Sequence, residues 1–260
     1  MKKIVVSAVL LAVLVSAGGF AQNVSAGAVN GMTLNGSTGL IVVPDAHVGW
    51  ERSKFGVDMG YGFVWSGGDR FDHLPRFAVS LFEKFEISGL MQMNHDKIKN
   101  FVLGGKFQIT KSGGTALAIG GDYEFFVPPE HGDSSKIYLA ATYGGDFFGM
   151  PAVTTATIGW QFWEQGNFSS QFIYGMGFSL SLFPQTFKNY VYWVTDFANF
   201  SYTVKDAMIY AGDRGAFNTG IRIHPIKEGR FNLVIDIIGT DLLDDGNRGL
   251  SASLSGGIAF

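Results

Sequence analysis

The last eleven residues alternate strictly. Leu250, Ala252, Leu254, Gly256, Ile258 and Phe260 are apolar or glycine, and Ser251, Ser253, Ser255, Gly257 and Ala259 between them are small. Successive side chains on a strand point to opposite faces, so this is a strand with one greasy face and one small polar face. The same period of two recurs along the chain. From Phe55 to Trp65 the odd positions are Phe55, Val57, Met59, Tyr61, Phe63 and Trp65, and the even positions are Gly56, Asp58, Gly60, Gly62 and Val64. Over 101–110 the apolar set is Phe101, Leu103, Phe107 and Ile109, set against Lys106, Gln108 and Thr110. Segments 117–125, 168–182 and 217–224 repeat the pattern.

A water-soluble β-sandwich also alternates, with its apolar face turned inward. Two properties favour a wall set against lipid. Many segments run ten residues or more, as a tilted strand crossing a bilayer requires. The apolar faces are crowded with Phe, Met, Tyr and Leu, whereas the opposite faces hold Gly, Ser, Ala and isolated charges. Heavy use of Gly (36) and Phe (24) with only 16% charged residues fits strands that approach closely and aromatics that face hydrocarbon. After residue 21 no run of eighteen apolar residues occurs, so no membrane-spanning helix is expected. The expected fold class is all-β: a transmembrane antiparallel up-and-down β-barrel.

Residues 1–21 read as a signal peptide. Met1-Lys2-Lys3 is positive, Ile4 to Ala17 is largely apolar but too short to span, and Gly19-Phe20-Ala21 offers small residues for cleavage after Ala21, with Ala26 as a second site. An uncleaved anchor is the alternative. The chain contains no Cys, so neither a lipoprotein anchor nor a disulfide framework is expected. Residues 22–50 are then an N-terminal periplasmic lead, with entry into the lumen open to it, or a first strand. Residues 51–260 form the barrel, and the expected location is the bacterial outer membrane.

Strands are expected at 51–65, 74–82, 86–94, 100–110, 115–127, 136–147, 151–163, 167–183, 188–200, 215–224, 230–240 and 249–260, which makes twelve. With both ends in the periplasm, the longer connections fall outside, in keeping with the usual loop asymmetry. Fourteen strands are the alternative, if 37–43 and 207–211 also pair. On the twelve-strand phases Lys54, Asp58, Arg76, Lys106, Asp122, Glu124, Arg222 and Asp236 face the lumen. Against lipid a Lys or Arg would cost about 2–4 kcal/mol at midplane. Inside, these charges either pair into a polar filling or line a water path. Both signs occur in similar numbers, which argues against strong ion selectivity. Trp65, Trp160 and Trp163 at one end, and Tyr190, Tyr192 and Trp193 at the other, are expected as interface aromatics, with sugar stacking as the lesser alternative.

These features resemble the outer-membrane β-barrel (porin-like) family. Ser253, Ile258 and Phe260 are similar to the carboxy-terminal signal read by the barrel-assembly machinery, although the Gly of that pattern is displaced to Gly256 and Gly257. The run Thr38-Gly39-Leu40-Ile41-Val42-Val43-Pro44 resembles the start of some exopolysaccharide-secretion-associated outer-membrane proteins. The resemblance implies outer-membrane lipid, the barrel-assembly machinery and periplasmic chaperones as partners.

Nothing in the chain points to an enzyme. None of the five His is followed two places on by Ser, as in barrel phospholipases, and Asp45-Ala46-His47 precedes the first confident strand. No cofactor or metal site is implied, and a net charge of −3 gives no footprint for nucleic acid. The function expected is a small porin-like channel or transporter passing small solutes by passive diffusion. A structural or adhesin-like surface protein is the alternative, and a barrel lipid hydrolase the weakest.

Overall fold

The computed structural model describes residues 31–67, 70–94, 97–127, 133–163, 169–202, 215–226, 229–244 and 248–260. Twelve antiparallel strands close into a barrel: β1 (Phe55–Trp65), β2 (Phe71–Leu81), β3 (Phe85–Asn94), β4 (Lys97–Ser112), β5 (Thr115–Phe126), β6 (Ser134–Phe147), β7 (Met150–Trp163), β8 (Ser169–Ser181), β9 (Val191–Ala198), β10 (Ala216–Ile226), β11 (Phe231–Thr240) and β12 (Gly249–Ala259). Each strand pairs with its sequence neighbours, and β1 closes on β12 in unbroken register from Gly56↔Ala259 to Trp65↔Leu250. The expected twelve strands are found, with ends moved by a few residues. One such shift is at β9. It starts at Val191 because one helical turn, α1 (Pro184–Phe187), and left-handed Lys188 and Asn189 take up the chain before it. Segment 37–43 does not join the wall; around it are only the isolated bridges Met32↔Thr38 and Gly39↔Pro44. Segment 207–211 lies outside the described residues.

The alternation separates two environments. Exposed large apolar residues such as Met59, Leu103, Leu139, Ile237 and Leu254 cover the outside. The inward positions are buried and largely polar, including Asp58, Arg76, Glu86, Lys106, Asp196 and Arg222. This is the reverse of a soluble protein and suits a hydrocarbon surround. Aromatic residues gather at both ends of the outer face. Phe63 stacks on Phe71 and Trp160 meets Phe172 at one end, while Phe55 meets Phe260 and Phe85 meets Phe107 at the other. Phe260 also donates its N–H to Phe55 O at 2.9 Å, tying the carboxyl terminus to the start of β1. Ile258 pairs with Val57 in that seam, and Ser253 points inward.

Trp65, Trp160, Tyr190 and Trp193 stand exposed. Trp163 and Tyr192 do not. Both are buried, Trp163 stacked on Phe126 at 6.2 Å and Tyr192 against His224 at 5.6 Å. Parity is the physical reason. Trp160 points outward, so Trp163, an odd number of residues later, must point inward, and the same relation separates Tyr192 from Trp193.

Candidate functional site: an occupied lumen

The inside of the barrel is filled by the chain itself. Residues 31–50 are buried throughout, folded into a compact knot. Within it Thr33 N donates to Ser37 O at 2.7 Å, Leu34 N to Ile41 O at 2.8 Å and Gly39 N to Gly31 O at 2.9 Å. Gly36 turns the knot with φ 97°, and a Cβ there would stand 2.6 Å from Gly89 O, so only glycine fits. The knot makes too few internal hydrogen bonds to satisfy its own backbone. A buried segment must find partners elsewhere, and the wall provides them.

Carboxylates of the wall take the amides. Asp196 Oδ2 accepts from Ile41, Val42 and Val43 N at 2.9, 2.7 and 3.0 Å, while its Oδ1 accepts from Asn218 at 2.8 Å. Glu86 accepts from Thr38 N at 2.8 Å, Thr38 Oγ1 at 2.5 Å and Gly49 N at 3.1 Å. Cations of the wall take the carbonyls. Arg222 donates to Gly39 O and Leu40 O, both at 2.8 Å, and pairs with Asp236 at 2.7 Å. Lys106 donates to Thr38 O at 3.0 Å and lies 3.3 Å from Glu86 and 3.6 Å from Asp45. Neutral groups complete the set: Thr142 Oγ1 accepts from Ala46 N, Gln108 donates to Ala46 O and Thr157 to Pro44 O.

Apolar groups fill the space between. Leu34, Leu40, Ile41, Val42 and Val43 pack with Val64, Leu74, Leu90, Val102, Ile173, Val194 and Ile238. These wall residues sit on the inward, otherwise polar phase of their strands. That is the signal in the sequence that could have revealed the filling: an inward Val or Leu in a wet pore has nothing to pack against.

At the short-turn end the segment leaves the lumen through a latch. Trp50 Nε1 donates to Asp58 at 2.7 Å. Glu51 holds His47 Nδ1 at 2.6 Å, accepts from Gln108 at 2.6 Å and pairs with Lys111. Burial alone would raise the Glu51 carboxyl, but these hydrogen bonds and the facing charges hold it down at about 2. Burial pushes the Asp45 carboxyl up, against the pull of Lys106 and His47.

At the opposite mouth residues 199–202 fold across the opening. Asn199 caps β8 by accepting from Tyr174 N at 2.7 Å. Phe200 is buried under Lys136 Nζ, 5.0 Å from its ring. Tyr202 reaches Asp72 of β2, on the far side, at 2.8 Å. Against this crossing lies a cavity of about 20 Å³ lined by Asp122, Glu124, Lys136 and Gln161 among others, enough for a single water.

Of the residues expected on the inner face, Lys106 and Arg222 hold the segment directly, Asp58 holds it through Trp50, and Asp236 supports Arg222. Asp122 pairs with Lys136 at 2.6 Å and accepts from Asn35. Glu124 accepts from Asn100, and Arg76 donates to Ser253. Lys54 differs: it precedes β1 and is exposed at the rim. Sequence reasoning missed Glu86, Asp196, Gln108, Thr142 and Thr157, because each acts on a backbone far away in sequence.

No family model and no curated protein sequence matches the chain. Among solved structures it resembles the KdgM porin, with a TM-score of 0.51 over 78% of this chain and 99% of that one at 5% identity. It also resembles the NanC porin, with a TM-score of 0.53 over 78% of this chain and all of that one at 10% identity. At such identities the likeness is one of fold: a porin-type barrel.

Proposed function

We propose that this chain is an outer-membrane, porin-like channel for small hydrophilic solutes that rests closed, with residues 31–50 as its occluding segment. The observation that carries this reading is the burial of that whole segment inside a barrel of porin type. Its hold on the wall is mostly hydrogen bonds to charged groups. Such bonds are individually strong, yet each can be exchanged for water if the lumen wets, so the net cost of release is modest. Displacement would leave an inner surface of Glu86, Lys106, Gln108, Asp196 and Arg222, along which solutes diffuse passively. Export by residues 1–21, passage with periplasmic chaperones and insertion by the barrel-assembly machinery through Ser253, Ile258 and Phe260 belong to the same reading.

The experiment uses the absence of native cysteine. In the double variant A46C/T142C the two positions are in contact, since Ala46 N donates to Thr142 Oγ1 at 2.8 Å. Oxidised protein in planar bilayers should be silent. The same protein after reduction should show discrete conductance steps under applied voltage. Equal conductance in both states would refute the segment as the gate.

A further inference from the structure

We propose that Arg76 is a binding station for a small anion, set against the glycine- and serine-lined seam of β1 and β12. The segment shares an apolar cluster with Val64 near the far end of β1, and near the base of that strand Gly49 and Trp50 lie against Asp58 and Gly56. Above that level the inner faces of β1 and β12 are Gly60, Gly62, Ser253 and Ser255, and Arg76 of β2 lies across them. A Cβ on Gly60 would stand 3.1 Å from Arg76 Nε, and one on Gly62 3.4 Å from Nη1. The two glycines therefore give the guanidinium its room.

Arg76 is 4% exposed. Its Nη2 donates to Ser253 Oγ at 2.8 Å, while Nε and Nη1 are buried with no hydrogen-bond partner among the described residues. Its charged neighbours are Asp236 and Arg222. Asp236 is already engaged by Arg222, at 2.7 Å through Nε and 3.2 Å through Nη2. Two guanidiniums thus share one carboxylate, and the spare charge sits on Arg76. A buried cation with open donors is costly unless an anion answers it. Nε and Nη1 lie on different edges of the planar guanidinium, and each offers an N–H that suits a halide or one oxygen of a carboxylate. Ser251 Oγ, also buried and unpartnered, lies two residues along the same face of β12. The station takes a small inorganic anion or the carboxylate of a solute. It rests on the channel reading only in that it needs a wettable lumen.

The test is an equilibrium measurement on the closed, full chain in detergent, so its failure is distinct from a failure of gating. Unfolding midpoints are recorded at constant ionic strength while chloride, or in a second arm acetate, replaces a bulky sulfonate. A saturable rise in the wild type that disappears in R76Q is the expected result. R76K, which keeps the charge but loses the fixed planar array of donors, should need roughly tenfold more anion for half-saturation; it decides the matter if R76Q does not fold. A response to chloride alone assigns the station to inorganic anions, to acetate alone to carboxylate solutes, and to both to either. No dependence in the wild type, an undiminished one in R76Q, or an unchanged half-saturation in R76K would overturn the proposal.

Discussion

The two sides of the lumen are built to opposite plans. From β3 round to β10 the wall projects long polar side chains, Glu86, Lys106, Gln108, Asp196 and Arg222, and each ends on the backbone of residues 31–50. Along the β1–β12 seam the wall is Gly60, Gly62, Ser251, Ser253 and Ser255. The outer faces of both regions are alike, apolar and exposed. The difference teaches that inward charge in this barrel is distributed by what it must hold. Where a backbone lies in the lumen, carboxylates meet its amides and cations its carbonyls. Where the wall makes no hydrogen bond to that backbone among the described residues, small side chains line the seam, and Arg76 lies across them.

The contrast is tested most severely at Asp196. In D196A the amides of Ile41, Val42 and Val43 lose their shared acceptor, and Asn218 Nδ2 loses its own. Each orphaned buried donor costs about 1–3 kcal/mol, so a loss of about 3 kcal/mol or more is expected in urea unfolding, together with channel openings in bilayers. A stability within error of wild type would mean that this wall does not hold the segment.

A smaller effect is expected from acid at the latch. Glu51 has its folded pKa lowered to about 2 from 4.5. Its contribution is therefore complete above about pH 4.5 and declines as the pH falls toward 2. About 1.5 kcal/mol, allowing for the partly solvated site, should disappear over that window, raising open probability about tenfold. E51Q should open more readily at pH 7 and show little further change down that range. If wild type and E51Q respond to acid in parallel, other carboxylates govern the opening.

The least effect belongs to the seam. The Ser251 hydroxyl has no partner among the described residues, so S251A should change unfolding stability by less than about 0.5 kcal/mol. A loss as large as that of D196A would erase the distinction between the two sides.

The strands could be read from the chain because alternation is a property of neighbouring residues, and lipid on one side enforces it without exception at positions such as Met59, Leu103 and Leu254. Trp163 and Tyr192 show the limit of reading by residue type. Both are aromatics near strand ends, yet strand parity turns them inward, where they stack on Phe126 and His224. Asp58, Arg76, Lys106, Arg222 and Asp236 could be placed on the inner phase from the same alternation, but not joined to any partner. Ser37–Val43, which reads as a strand by composition, pairs with no strand of the wall, because its amides are taken by carboxylates instead of by a neighbouring ladder.

By itself the sequence determined the wall: twelve alternating segments, an oily exterior and a charged interior, since hydrocarbon imposes a period of two that any local reading detects. The filling of the lumen was decided only by tertiary structure. A carboxylate that binds backbone amides leaves no mark on the residues it binds, and Asp196 stands 155 positions from Ile41. Closing the barrel brought them together, and the need to satisfy every buried N–H and C=O then selected the fit.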